Sequence, residues 1–303
     1  VTSTALNITP TTDRVGALVT ALGECPIWDP QRRRLWLLDC RVGHIHSIDL
    51  ATGVGALQTV PAPAGSMALN RDGRLIVALK EEVVLLDPER GTLRSLGRID
   101  DQHPNLRLND GAAMPDGSFV VGTMHVFRDE GEAPLGGLYR LDPQGHFRRI
   151  AQGFGIVNGP VMHPWNGRLH VCDSAARSLY SYAMDADGSL HDSRLFAQTK
   201  ALGSAPDGCC FDRDGGLWTA LVHAGAIVRF DAEGGMTHRV NLPVAHPASL
   251  CFAGEALDQI VVTTISDSGR LRGSGPLDGA VLCVRDLGFQ GAERPQCNIT
   301  PKD

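Results

Sequence analysis

Long apolar runs are missing from this chain of 303 residues. No stretch reaches the about 20 residues that a membrane-spanning helix needs, which excludes a helical membrane protein. A basic excess is missing as well: 28 Lys and Arg face 34 Asp and Glu, for a formal charge of −6. Binding a phosphate backbone needs a basic surface, so nucleic acid is excluded as a partner. The eight cysteines (25, 40, 172, 209, 210, 251, 283 and 297) form no CxxC pair and no Cys/His spacing fit for zinc. In a chain this long they read as reduced core residues rather than a disulfide framework. The opening VTSTALNITP has neither the charged nor the apolar region of a secretory signal. Together these point to a cytoplasmic protein. Apolar stripes of helical period are also absent, so helix is expected to be scarce.

What the chain has instead is repetition. RLWLLDC, RLIVALK, SFVVGTM, RLHVCDS, GLWTALV and QIVVTTI each read as a short strand after a turn rich in Asp, Gly, Asn or Pro. Each is followed by a second apolar strand ending in a turn, as in IHSIDLATG, EVVLLDPERG and AIVRFDAEG. A period of roughly 40–50 residues, repeated about six times, suits the four-stranded blades of a propeller. The fold expected is therefore all-β: a six-bladed β-propeller of four-stranded antiparallel blades. No linker divides the chain, so one domain over 1–303 is expected, with residues 1–13 loosely ordered. The strand that completes the last blade is placed near residues 14–22.

Aligning the repeats on their first strand puts Glu24, Asp110, Asn158 and Asp207 at one position, with Gly65 and approximately Ala248 in the other two repeats. Equivalent positions on innermost strands face the central channel. Any single Asp-Gly or Asn-Gly is more often just a turn; the shared phase is what raises these four. Close carboxylates repel one another, and a hard divalent cation resolves the conflict because it prefers oxygen ligands. His44 and His46 share a strand face but have no third ligand nearby, and read as structural. Cys209 and Cys210 follow Asp207, and alternation sends at least one into the blade core.

At these residues the chain resembles the SMP-30/gluconolactonase/regucalcin group of six-bladed propellers. The similarity runs from about Leu22 to Gly288. It rests on LGECPIWDP, RLNDGAAMPDGSFVVGTM, NGPVMHP, PDGCCFDRDGGLW and SLCFAGEALDQIVVTT, matched in order and spacing. The resemblance implies one divalent cation (Ca, Zn, Mn, Mg or Fe(II)) held by Glu24, Asn158 and Asp207. It implies substrate contacts from Arg107 and Asn109, and hydrolysis of a sugar lactone such as a glucono- or pentonolactone to the aldonic acid. Asp207 is then the candidate general base, the cation a Lewis acid, and Asp110 a supporting residue behind the ligands. Some members carry a Glu shortly after Gly-Thr-Met. Here the segment is GTMHVFRDEGEAPLGGLYRLD, closer to bacterial gluconolactonase and pentonolactonase members, and His125 is placed at the mouth of the site as a substrate contact or surface-loop residue. The partner implied is a small sugar lactone, bound by a monomer or dimer.

Two competing readings remain at this point. A regucalcin-like calcium-binding, regulatory propeller would use the same ligands without catalysis, but has no need of Arg107 and Asn109. An organophosphate or aryl-ester hydrolase would present a second acidic cluster, which the sequence lacks.

Overall fold

The computed structural model describes residues 6–100 and 103–301. Among them the backbone is almost wholly strand and turn, with a single 3-10 turn at Lys200–Leu202. Twenty-four strands form six antiparallel sheets of four. The innermost strands, Gly23–Asp29, Ser66–Leu69, Leu106–Ala113, Val157–Met162, Pro206–Phe211 and Pro247–Ala253, each pack against the next and the last against the first. The blades therefore close into a ring, as the repeat period predicts.

Burial follows from this geometry. Middle strands such as Leu75–Ala78, Leu217–Leu221 and Ala226–Phe230 are sandwiched between neighbouring blades and buried on both faces. Outermost strands such as Thr92–Arg98 are mostly exposed and polar. Six apolar clusters fill the six inter-blade spaces. Ile76 and Leu85 meet Phe119 and Val121 between the second and third blades, and Leu35 and Leu37 meet Val261 and Val281 between the first and last. Removing such area from water at roughly 25 cal/mol per Å² is what holds one blade to the next.

Ring closure uses the N-terminus. Thr11–Val19 pairs antiparallel with Ala280–Arg285 and supplies the outermost strand of the sixth blade. The sequence placed this strand a few residues later, because the apolar stretch near Leu18 and Leu22 outweighed the polar TTDR that pairs with it. Part of the segment 1–13 is in strand. Leu6–Asn7 runs parallel to Met236–Asn241 as a fifth strand on the fifth blade, and Thr11 already belongs to the strand that closes the sixth. Residues 1–5 lie outside the described residues.

The tail past the last strand crosses the ring at the hairpin-turn ends of the inner strands. Ala292 N–H donates to Phe211 O, Cys297 N–H to Leu69 O and Asn298 N–H to Gly117 O. Arg294 reaches inward and donates to Pro26 O at 3.0 Å. One end of the channel is thereby strapped, leaving the other for the site.

Candidate active site

The inner hairpins share a defect that positions the site. In the first blade, pairing steps from Glu24↔Leu38 to Ile27↔Trp36, so three residues on one strand oppose two on its partner. The same single extra residue occurs between Leu108 and Gly111, Asn158 and Val161, and Pro206 and Cys209. A bulge of this kind bends the strand and re-aims a side chain. After Glu24 and after Asn158 the bend is left-handed, with φ +48 at Cys25 and +53 at Gly159, and Pro follows in both cases. Gly159 is needed twice over, since a Cβ there would also lie 2.5 Å from Cys209 Sγ. Gly208, after Asp207, is required by close approach alone: a Cβ would meet Ser249 Oγ at 2.1 Å.

Hairpin register also corrects the phase of one residue. Each inner strand ends at a residue paired across its turn: Asp29, Asn70, Met114, His163, Asp212 and Ala253. Five residues upstream of these lie Glu24, Gly65, Asn109, Asn158, Asp207 and Ala248. Asn109, not Asp110, is therefore the equivalent of Glu24, Asn158 and Asp207. Matching the Asp-Gly of 110–111 to that of 207–208 slips the alignment by one, and a one-residue slip moves a side chain to the other face. Asp110 instead accepts the N–H of Gly111 at 2.8 Å and of Gly159 at 2.7 Å, clamping the left-handed turn beside Asn158 from the neighbouring blade.

A chain of hydrogen bonds links three blades at this level. Arg107 Nη1 donates to Asn109 Oδ1 at 2.9 Å, and Asn109 Nδ2 donates to Asn158 Oδ1 at 2.7 Å and to Val157 O at 2.8 Å. Asn158 Nδ2 donates to Ser174 Oγ at 2.8 Å, and Ser174 Oγ donates to Pro206 O at 2.6 Å. Each amide is oriented from both ends. Ser174 has no motif of its own, and sequence reasoning missed it; the one signal is its place immediately after the strand Arg168–Asp173, which pairs with the strand carrying Asn158.

The acids are placed differently. Asp207 is buried, and its Oδ1 has no hydrogen-bond partner. Burial pushes the carboxyl of Asp207 well above the usual range, and the charge of Asp110 adds to this. Glu24 is raised for the same reasons, burial first and then the charges of Asp207 and Asp110, with Arg107 opposing. Several negative groups thus converge with too little positive charge around them. That is the donor set and the electrostatic deficit that a hard cation fits: oxygens from Glu24, Asn158 and Asp207 are available to hold one.

Glu24, Arg107, Asn109, Asn158 and Asp207 all line a single open cavity of about 540 Å³. Its walls are largely apolar, with Leu22, Ile156, Val222 and Ile265 among them, and Arg41, Arg270 and His223 stand around it. His125 is not part of this lining. It lies between Met124 and Val126, which do face the cavity, and strand alternation turns it the other way. It lines a smaller adjoining cavity of about 350 Å³ instead. His125 thus stands beside the cavity that the other candidate residues share and not in its lining.

Cys209, Cys210, His44 and His46 do not line this cavity. Cys209 and Cys210 are both buried, and Cys209 Sγ donates to Gly159 O at 3.0 Å. His44 and His46 meet edge to face, with ring centres 6.0 Å apart. Among the described residues no helix is long and apolar enough to cross a membrane.

Comparison with known proteins agrees with the architecture. Residues 22–266 match the SMP-30/Gluconolactonase/LRE-like region. The chain is 29% identical over 269 residues to a 6-deoxy-6-sulfogluconolactonase from Pseudomonas putida, covering 88% of this chain and 91% of that protein. It is 30% identical over 262 residues to a pentonolactonase from Haloferax volcanii, covering 86% and 87%. A calcium-binding protein, regucalcin, from Agrobacterium tumefaciens superposes with a TM-score of 0.85 at 22% identity, over 97% of this chain and 99% of that one. With four-fifths of its length matched to one family, the chain belongs to the SMP-30/gluconolactonase/LRE-like family.

Proposed function

We propose that the protein hydrolyses sugar lactones to aldonic acids, using one divalent cation held by Glu24, Asn158 and Asp207. The observation that carries this reading is the buried, unpartnered Asp207 Oδ1 in a cavity that it shares with Glu24 and the oriented amide of Asn158. When bound, the cation supplies Lewis-acid polarisation of the lactone carbonyl and charge for the developing oxyanion.

The chain's own residues do the rest. Arg107 offers its remaining guanidinium N–H groups and Asn109 the second lone pair of Oδ1, placed to grip sugar hydroxyls and so fix the carbonyl in the cavity. The apolar walls limit water around the reacting centre. Asp207 accepts a proton from the attacking water through a carboxylate oxygen that the cation does not engage. The hydroxyl adds to the carbonyl carbon, the acyl–oxygen bond of the ring breaks, and the ring oxygen leaves as an alcohol carrying the proton. The 29–30% identity to named lactonases supports the reaction class. A purely regulatory ion site is disfavoured, because it has no need of the Arg107–Asn109 arm reaching into the cavity.

The test is direct. With Mn²⁺, Zn²⁺, Ca²⁺, Mg²⁺ or Fe²⁺ added in turn, the purified protein acidifies weakly buffered glucono- or pentonolactone faster than spontaneous opening. Asp207→Ala and Asn158→Ala abolish the gain, and Arg107→Ala keeps the cation while losing turnover. Background rates for every aldonolactone with every cation would overturn the proposal.

A further inference from the structure

The side chain of His125 raises a question that the lactone site does not answer. It is 3% exposed, and neither Nδ1 nor Nε2 has a hydrogen-bond partner. Buried polar groups are normally paired, so an imidazole orphaned at both nitrogens calls for an explanation. Glu132 and His103 approach it. Nε2 stands 3.6 Å from Glu132 Oε2, and the ring of His103 meets it edge to face, with centres 5.4 Å apart. One donor atom from each of the three residues lies within 4.8 Å of the others.

We infer that His103, His125 and Glu132 form a second metal site, for a borderline transition ion such as Zn²⁺ or Co²⁺. The donor chemistry selects the ion: two imidazoles and one carboxylate favour Zn, Co, Ni or Fe over Ca and Mg, whereas the all-oxygen set of Glu24, Asn158 and Asp207 suits hard cations. Bonds of about 2.0–2.1 Å set tetrahedral donor atoms roughly 3.3 Å apart. The His125–Glu132 pair already has nearly that span. The rest is left to small side-chain adjustments within the 4.8 Å spread of the three donor atoms. His103 Nδ1 accepts the Asn105 N–H at 3.2 Å. Ligation exchanges that long contact for a metal bond. Glu132 Oε2 also accepts the Asp129 N–H at 3.1 Å, which fixes the carboxylate at the neck of its loop.

Placement gives the site a consequence. His125 ends the strand Phe119–His125, and Glu132 sits in the loop that follows. Val126 and Phe127 of that loop line both the small cavity beside His125 and the large cavity of the lactone site. An ion bridging His103 and His125 to Glu132 therefore staples a wall of the substrate cavity to the third blade. This site is separate from the proposed catalytic cation and stands or falls independently of it.

Cobalt provides the test, with protein stripped by chelator and then titrated while visible absorption and bound metal per chain are read. Wild type is expected to bind two ions. His103→Ala and Glu132→Ala, both at less buried positions than His125, each bring the count to one and remove the strong tetrahedral cobalt bands. The double variant Glu24→Gln/Asp207→Asn retains those bands. Zn²⁺ is expected to slow tryptic cleavage after the exposed Arg128 in wild type and not in Glu132→Ala. One ion per chain that disappears in Glu24→Gln/Asp207→Asn, or a second ion indifferent to His103→Ala and Glu132→Ala, would overturn the inference.

Discussion

Gly159→Ala separates the bulge from ordinary glycine effects. The residue takes φ +53, and an added Cβ would stand 2.5 Å from Cys209 Sγ and 3.1 Å from Cys209 N. Gly167, in the turn that closes the same inner hairpin, takes φ +68 with nothing within 4 Å of its Cβ. A left-handed backbone costs a non-glycine residue about 1–2 kcal/mol, so Gly167→Ala should lose that much and no more. Gly159→Ala adds an overpacking cost of roughly 1–3 kcal/mol, for a total of about 2–5 kcal/mol. At about 2 °C per kcal/mol in a chain of this size, thermal unfolding should fall by roughly 2–4 °C for Gly167→Ala and 4–10 °C for Gly159→Ala. The larger effect is on chemistry. Relief of the clash moves the turn that Asp110 clamps and carries Asn158 with it, and a misplacement of about 1 Å costs on the order of 100-fold in rate. Lactone turnover followed by acid release should therefore collapse in Gly159→Ala and persist in Gly167→Ala. Equal melting shifts together with full turnover in Gly159→Ala would refute the claim that this bulge positions the ligand.

Ser174→Ala removes the acceptor of Asn158 Nδ2 and the donor to Pro206 O; it should cost about 1–2 kcal/mol of stability. It should also weaken activation by cation roughly 10–100-fold, as lost ligand-orienting bonds do; an unchanged half-saturating cation concentration would show that Asn158 needs no anchor. His170 is buried between Phe196 and Phe211, with ring centres 4.8 and 5.1 Å away, and burial lowers it from 6.5 to about 4. The unfolded chain binds more protons between those values, so stability is full above about pH 6.5 and falls as pH drops towards 4, by roughly 3 kcal/mol at 1.36 kcal/mol per unit. Denaturant unfolding at pH 7.5 and 4.5 checks this: His170→Phe should lose that part of the slope, and a variant with the wild-type slope would contradict it.

The ring was legible in the sequence because alternation and turn residues recur at every blade, and burial by neighbouring blades demands that alternation. The shared position of Glu24, Asn158 and Asp207 was legible for the same reason, since the bulge leaves Gly or Pro within two residues after each. Asp110 was misphased because the bulge inserts a residue that plain counting along a strand does not see. Asn109 was reached only through family resemblance, although its register equals that of Glu24, Asn158 and Asp207. Ser174, His103 and Glu132 acquire meaning from contacts across blades or across a loop, and no local pattern announces such contacts. The C-terminal strap over 288–300 was invisible for another reason: its backbone pairs with turn ends rather than with a strand, so it carries no periodicity.

The most direct test of the central claim is anomalous diffraction from a crystal soaked in Mn²⁺. The account predicts one strong peak bounded by oxygens of Glu24, Asn158 and Asp207 and facing the 540 Å³ cavity. A cavity with no peak among those three residues, in protein that still opens lactones, would contradict it.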